Sequence, residues 1–212
     1  MDQSSGVMPS PEEVLASYHL PPVKPLWLNA NYAKHIVKGN FLTLSAKPKT
    51  VEMGEWVAHQ EVHLQQDRRL SNIFPTDAAG VSYADNPAFG NPLPDAGGDW
   101  VGKRSGFPQN FMETCQLIFR QMFRVYAHLY WSHFDDMFSL NLEKSMNSCF
   151  SHFILTATTL NLLKKSDLEP MQPLIDLWAA LGTFPQGSKA YDIANVQVGQ
   201  LLVQKAGSPP AN

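Results

Sequence analysis

Seven histidines and two cysteines are the side chains of this 212-residue sequence best suited to hold a metal or act as nucleophiles. His128 and His133 form an H-x4-H pair, and imidazole is a common zinc ligand. Five residues along a straight helix turn ~500°, which leaves the two rings about 140° apart. Shared ligation therefore needs the helix to end or distort near Tyr130. Two histidines are also only half of a tetrahedral set, and from spacing alone two unrelated histidines on an aromatic helix account for them. A zinc-dependent hydrolase built on them would need a third ligand and a general base, and no motif supplies either. Arg120, Arg124 and His128 recur at i, i+4 and i+8 and share one helix face. Three donors in line could bind a phosphate or carboxylate; a solvated face whose arginine stems cover the core explains the same spacing. Cys115 and Cys149 fall on apolar stripes and read as small buried hydrophobes. Glu52, Glu55 and Trp56 read either as a core indole with solvated acids beside it or as an acidic face carrying an aromatic anchor for a basic partner helix. No phosphate loop, dinucleotide fingerprint, HExxH or GxSxG is present, so the pattern points away from catalysis.

The elements that must position these residues are helical. Residues 51–72 read as a helix. Over 109–134, Phe111, Cys115, Ile118, Phe119, Met122, Phe123, Tyr126, Leu129 and Tyr130 recur at three and four, with Asn110 and Glu113 at capping-box spacing. A second helix is expected over 145–163, capped by Ser145, and a third over 170–181, between Pro170 and Gly182. Residues 37–44, VKGNFLTL, read as a small strand or extended arm. Residues 1–25 and the Pro/Gly/Asp-rich stretch 74–108 read as loop. The expected class is all-α: a helical bundle with long irregular loops. Its domain plan is a largely irregular arm over 1–35, a helical domain over 36–181 with a long loop at 75–108, and a carboxy-terminal extension over 182–212.

Composition narrows the partners. Sixteen basic and 19 acidic residues give a net charge of −3, which argues against nucleic acid. No apolar run approaches the length of a membrane span, and no secretory leader is apparent at the start. Cytoplasm and nucleus are the expected compartments.

The stretch FPQNFMETCQLIFRQMFRVYAHLYWSHF resembles the central motif of the MOB (Mps-one-binder) kinase-activator family, with FRVYAHLYWSHF as its core. NSCFSHFI and LEPMQPLIDLW resemble the next two family helices; VKGNFLTL and GEWVAHQ resemble its amino-terminal segment; FPTDAAG with the later GFPQNF resembles its F-P turn, enlarged. The resemblance implies a MOB-like helical bundle and a non-catalytic co-activator of NDR/LATS-type serine/threonine kinases, binding the basic segment before the kinase catalytic domain. It implies that Glu52, Glu55 and Trp56 face the kinase. It also implies that Arg120 and Arg124 stand at phosphopeptide-binding positions, and that His128 and His133 are the two zinc histidines. Gln121 replaces a basic residue of the branch that receives Hippo-type signals. With PKTVEMGEWVA, this points to the NDR-paired branch acting in cell polarity and morphogenesis, and away from phosphopeptide docking. The alternatives are a phosphopeptide-binding scaffold using Arg120, Arg124 and His128, or an inactive truncated isoform.

The sequence departs from that family by an internal gap. The family carries a long helix and a zinc loop with a CxxxxC pair between GEWxA and the F-P turn, whereas Trp56 and Phe74 are separated by only 17 residues, none of them Cys. Cys115 precedes His128 by 13 residues on one helix, ~20 Å away. Cys149 stays open as a ligand, although its motif position is core. Zinc is the cofactor the family implies, and here the site is incomplete and the bundle shorter than the family's. Either a natural short form or a gene-model error explains the gap.

Overall fold

The computed structural model describes residues 9–35, 42–65 and 110–206. The described residues form ten α-helices and two short 3-10 turns, with no strand, as the all-α expectation requires. The helices are α1 (Pro11–Ser17), α2 (Leu42–Ser45), α3 (Met53–Gln65), α4 (Phe111–Ser132), α5 (Phe134–Ser139), α6 (Glu143–Thr159), α7 (Lys165–Leu168), α8 (Gln172–Ala180), α9 (Lys189–Asp192) and α10 (Val196–Ala206). The chain divides into two compact units, one of residues 1–45 with 118–212 and the other of residues 46–117. The long loop expected over 75–108 lies outside the described residues, as do 66–72 of the expected 51–72 helix.

The larger unit is built on an aromatic seam. On α4, Phe119, Phe123, Tyr126 and Tyr130 are buried at spacings of four, three and four, the pattern of a helix that covers a core with one stripe. They meet Phe150 and Phe153 of α6: Phe119 stacks on Phe153 with ring centroids 5.3 Å apart, and Tyr126 on Phe150 at 4.7 Å. Trp178 of α8 closes the seam against Phe150 and Phe184, and its indole N–H donates to the Ala33 carbonyl at 3.1 Å. Helix α8 is buried from Gln172 to Ala179, so it is the central element of this unit. Helix α10 crosses α8 at Gly199, where an added Cβ would stand 2.0 Å from the Asp176 carbonyl oxygen; glycine is what permits that approach.

Three helices end alike. After α5, α6 and α8, the residues Asn141, Asn161 and Gly182 take positive φ of 57°, 57° and 76°. In each case the next two amide groups fold back on the last turn: Gly182 N–H to Ala179 O at 3.1 Å and Thr183 N–H to Trp178 O at 2.9 Å after α8. This is the Schellman arrangement, which Gly and Asn accept with least strain.

Several sequence expectations need correction. The loop-like reading of residues 1–25 fails over Pro11–Ser17: Ser10 accepts from the Glu13 amide while the Glu13 carboxylate accepts from the Ser10 amide, a complete capping box with Pro11 at the first helical position. The strand or extended arm at 37–44 fails where it is described, since Leu42–Ser45 is helical. The long helix breaks at His133 instead of running to 134. Ser145 lies inside α6, which begins at Glu143. Pro170 belongs to a 3-10 turn, Glu169–Met171, leading into α8. Residues beyond 182 pack into the larger unit through Val198 and Leu202, both buried.

A buried carboxylate ties the ends of that unit together. Asp176, fully buried, accepts from Tyr18 Oη at 2.5 Å, Gln172 Nε2 at 2.8 Å and the Asn195 amide at 2.8 Å. Burial pushes its carboxyl above the ordinary range, against these three hydrogen bonds, which favour the anion. Burial first, and then the bond to Asp176, push the Tyr18 phenol upward. The network joins the end of α1 to α8 and to the start of α10.

Candidate functional site

The smaller unit holds the acidic turn. The Glu52 carbonyl accepts from the Trp56 amide at 3.0 Å, so Glu52, Glu55 and Trp56 occupy the first turn of α3. Residues three and four apart on a helix are neighbours, and carboxylates at a helix start are favoured by the macrodipole. Glu55 is exposed, Glu52 and Trp56 are half-buried, and Val57 and Gln60 are buried. The Trp56 indole lies flat on the His59 imidazole, with centroids 5.1 Å apart and planes 5° from parallel. The stack restricts the indole's rotamers while leaving part of it in contact with solvent. An aromatic ring with two acids on one turn is chemically suited to a positively charged helix.

The larger unit holds the histidine pair. Helix α4 ends at Ser132, and His133 has φ −132° and ψ 10°, turning the chain into α5. That turn removes the angular separation expected of a straight helix and brings His133 Nε2 to 3.2 Å from His128 Nε2. Both rings are exposed. At this distance one imidazole donates to the other. Asp136 Oδ2 stands 3.5 Å from His133 Nδ1. The sequence reading missed Asp136; its signal was Asp135-Asp136 in the first turn of α5, the usual mark of a helix start.

The row Arg120, Arg124 and His128 runs along unbroken α4 at the expected spacing. Arg120 is half-buried and Arg124 exposed, with Arg124 Nη1 3.5 Å from Gln121 Oε1. His128 is turned to another use, since its Nε2 meets His133.

The zinc that the resemblance implies can be tested against these donors. The two imidazoles fit. The thiolates do not: the sequence has only two cysteines, and neither lies in the zinc-loop position that the resemblance implies. Cys115 is buried in α4, and Cys149 is half-buried in α6, near enough to the buried Tyr130 to influence its phenol. Among the described residues no group of three or more His, Cys, Asp or Glu side chains could hold a metal ion. The residues therefore do not fit a closed site of two cysteines and two histidines.

Comparison with known proteins places the chain. Residues 95–171 match the Mob1/phocein family. The CBK1 kinase activator protein MOB2 of Candida albicans is 32% identical over 222 residues, taking in 88% of this chain and 71% of that relative. The protein of the same name from Saccharomyces cerevisiae is 31% identical over 178 residues, 69% of this chain and 62% of the relative. The maintenance of ploidy protein mob2 of Schizosaccharomyces pombe is 32% identical over 189 residues, 73% of this chain and 78% of the relative. The Candida alignment is longer than the 212-residue chain; 88% of 212 is about 187, so about 35 aligned positions of the relative face gaps. Sequence shared along most of both chains, on an all-helical frame, decides the matter: the chain belongs to the Mob1/phocein family.

Proposed function

We propose that this chain is a non-catalytic co-activator of a serine/threonine protein kinase of the NDR/LATS type, acting in cell polarity, morphogenesis or cell-cycle signalling in cytoplasm and nucleus. The observation that carries the reading is that two relatives covering more than two thirds of this chain are named as activators of a kinase, CBK1. The acidic turn supplies a physical means. Glu52 and Glu55 attract the lysines and arginines of a basic segment preceding the kinase catalytic domain, and Trp56 provides the desolvated contact. Exposed acids contribute only ~0–1 kcal/mol each, so the indole and its apolar neighbour Met53, 41% exposed, must supply most of the affinity. Phosphopeptide docking through Arg120 and Arg124 has less support, because His128 is engaged by His133.

The test is fluorescence anisotropy with a labelled peptide of the basic pre-catalytic segment of an NDR-type kinase, titrated with the full chain. Saturable binding that is lost when the peptide's basic residues are replaced by alanine is expected. Equal affinity for the alanine peptide would overturn the reading, as would preferential binding of a phosphorylated peptide at Arg120 and Arg124.

A further inference from the structure

Residues 21–27 and the junction of α4 with α5 line a groove of about 690 Å³, which lies wholly within the larger unit. Its lining is aromatic. Trp27 is 2% exposed and Trp131 42%, and the two indoles meet edge to face with centroids 5.0 Å apart and planes at 81°. Trp131 Nε1 donates to the Pro170 carbonyl at 3.1 Å, so a partner that covers the ring strands no N–H. Phe138 and Val23 extend the apolar lining, and Val23 is 84% exposed. Open apolar side chains gathered on one groove and rimmed by polar residues mark a contact surface.

The kind of occupant follows from what the groove offers. Pro21 and Pro25, which line one side, have no backbone N–H, so that side is a poor template for an added strand. The volume is that of a drug-sized ligand, enough for a short extended segment but not for the ~10–12 Å cylinder of a helix. A proline-rich chain needs no ladder hydrogen bonds, suits aromatic-lined grooves and is already in its bound form before docking. Charge selects the neighbour of those prolines. Lys24 spends its ammonium on the Leu202 carbonyl at 3.3 Å, whereas Asp135 is exposed and its carboxylate has no partner among the described residues. The unspent charge of the groove is therefore negative.

We propose that this groove docks a proline-rich segment of another protein, its prolines against Trp131 and Val23 and a lysine or arginine beside them paired with Asp135. The groove shares no residue with the acidic turn of α3, and the inference survives failure of the kinase reading.

The experiment titrates a dye-labelled peptide, an arginine followed by a run of prolines, with the full chain and reads fluorescence anisotropy. Saturable binding is expected. Replacing the prolines by alanine should weaken it at least ~10-fold, and Asp135→Lys about 5- to 30-fold, less so as salt rises. Trp131→Ala should weaken it about 30-fold. Should that change disturb the packing on Trp27, Val23→Lys makes the same test at an exposed side chain: binding about five-fold weaker at an unaltered melting temperature. The Trp131 and Val23 variants should bind the basic kinase peptide as the parent does, which separates failure of this site from failure of the kinase reading. No binding by the parent would overturn the proposal, as would equal affinity for the alanine peptide, or parental affinity in Val23→Lys or Asp135→Lys. A monomer–dimer equilibrium seen by sedimentation and abolished by Val23→Lys would assign the groove to a second copy of the chain and overturn it too.

Discussion

Trp56→Ala and Glu55→Lys separate the two forces assigned to the acidic turn. Trp56 is half-buried and held flat against His59, so little rotamer freedom is left to lose when a partner covers it. Removing such an anchor costs ~2 kcal/mol or more, about 30-fold in Kd. Glu55 is exposed; reversing its charge replaces an attraction with a repulsion of similar size, a swing of ~1–2 kcal/mol, about 5- to 30-fold. At low salt the two variants therefore look alike. Salt distinguishes them, because the Debye length falls from ~10 Å at 0.1 M to ~3 Å at 1 M. Anisotropy titrations with the basic peptide should show the Glu55→Lys defect shrinking toward parental affinity as salt rises, while the Trp56→Ala defect persists. The partner of the buried face, Val57, is untouched by either change, so the circular-dichroism spectrum should not alter. Refutation would be a folded Trp56→Ala chain that binds as tightly as the parent, or a Glu55→Lys defect independent of salt.

Three further predictions concern stability. Gly199→Ala should cost about 1–3 kcal/mol by overpacking, because its Cβ would meet the Asp176 backbone at 2.0 Å; urea denaturation would show a lower midpoint at constant slope. Tyr18→Phe removes the hydroxyl that Asp176 accepts and should cost ~1–3 kcal/mol, read in the same titration; no change would mean that the end of α1 is not held through this bond. Burial lowers His35 from 6.5 to about 4, so the fold favours the neutral ring. Its contribution is intact above pH 6.5 and is lost as pH falls toward 4, by up to ~3 kcal/mol before any reduction for the ring's partial exposure. His35→Phe should flatten the melting temperature across that window.

Much of the larger unit was legible because its signals are local. The aromatic stripe of α4 has helical period, and Gly182 marks the end of α8 where a left-handed residue is needed. Asn141 and Asn161 do the same work with a weaker signal, since Asn is also common in turns. The box at Ser10–Glu13 was equally local, but the prolines on either side of it drew the segment into the loop category. The break at His133 was overrun because the apolar pattern continues through buried Phe134 and Met137; only the paired aspartates signal a fresh start. That break is why the meeting of His128 and His133 was not legible: the spacing on a straight helix pointed against it, and the deciding angle belongs to one residue's backbone. The Asp176 network could not be read at all, because Tyr18 and Asp176 are 158 residues apart in sequence.

The two units are held to different degrees. In the larger one, residues 32–45 are fastened to α6 and α8: Asn147 Nδ2 donates to the carbonyls of Tyr32 and Lys34 at 2.8 Å each, Trp178 donates to Ala33, and Ser45 Oγ pairs with Thr156 Oγ1 at 2.7 Å. These bonds span 111 to 145 residues of sequence and use nothing from between. Phe119, Phe150, Phe153 and Trp178 are all 0% exposed, so the described core of that unit is closed. In the smaller unit, by contrast, Val57 and Cys115 are the buried apolar side chains among the described residues. Across residues 53–60 of α3, Val57 is the buried apolar side chain; it supplies ~1.5–3 kcal/mol against an ordering cost of ~1–2 kcal/mol per residue. Stability should therefore be lower along α3, which presents Glu55 and Trp56, than along α8. Hydrogen exchange would expose that asymmetry as slow amides in α6 and α8 and fast ones in α3, with the basic peptide slowing α3 selectively. Protection in α3 equal to that of α8 in the free chain would contradict it.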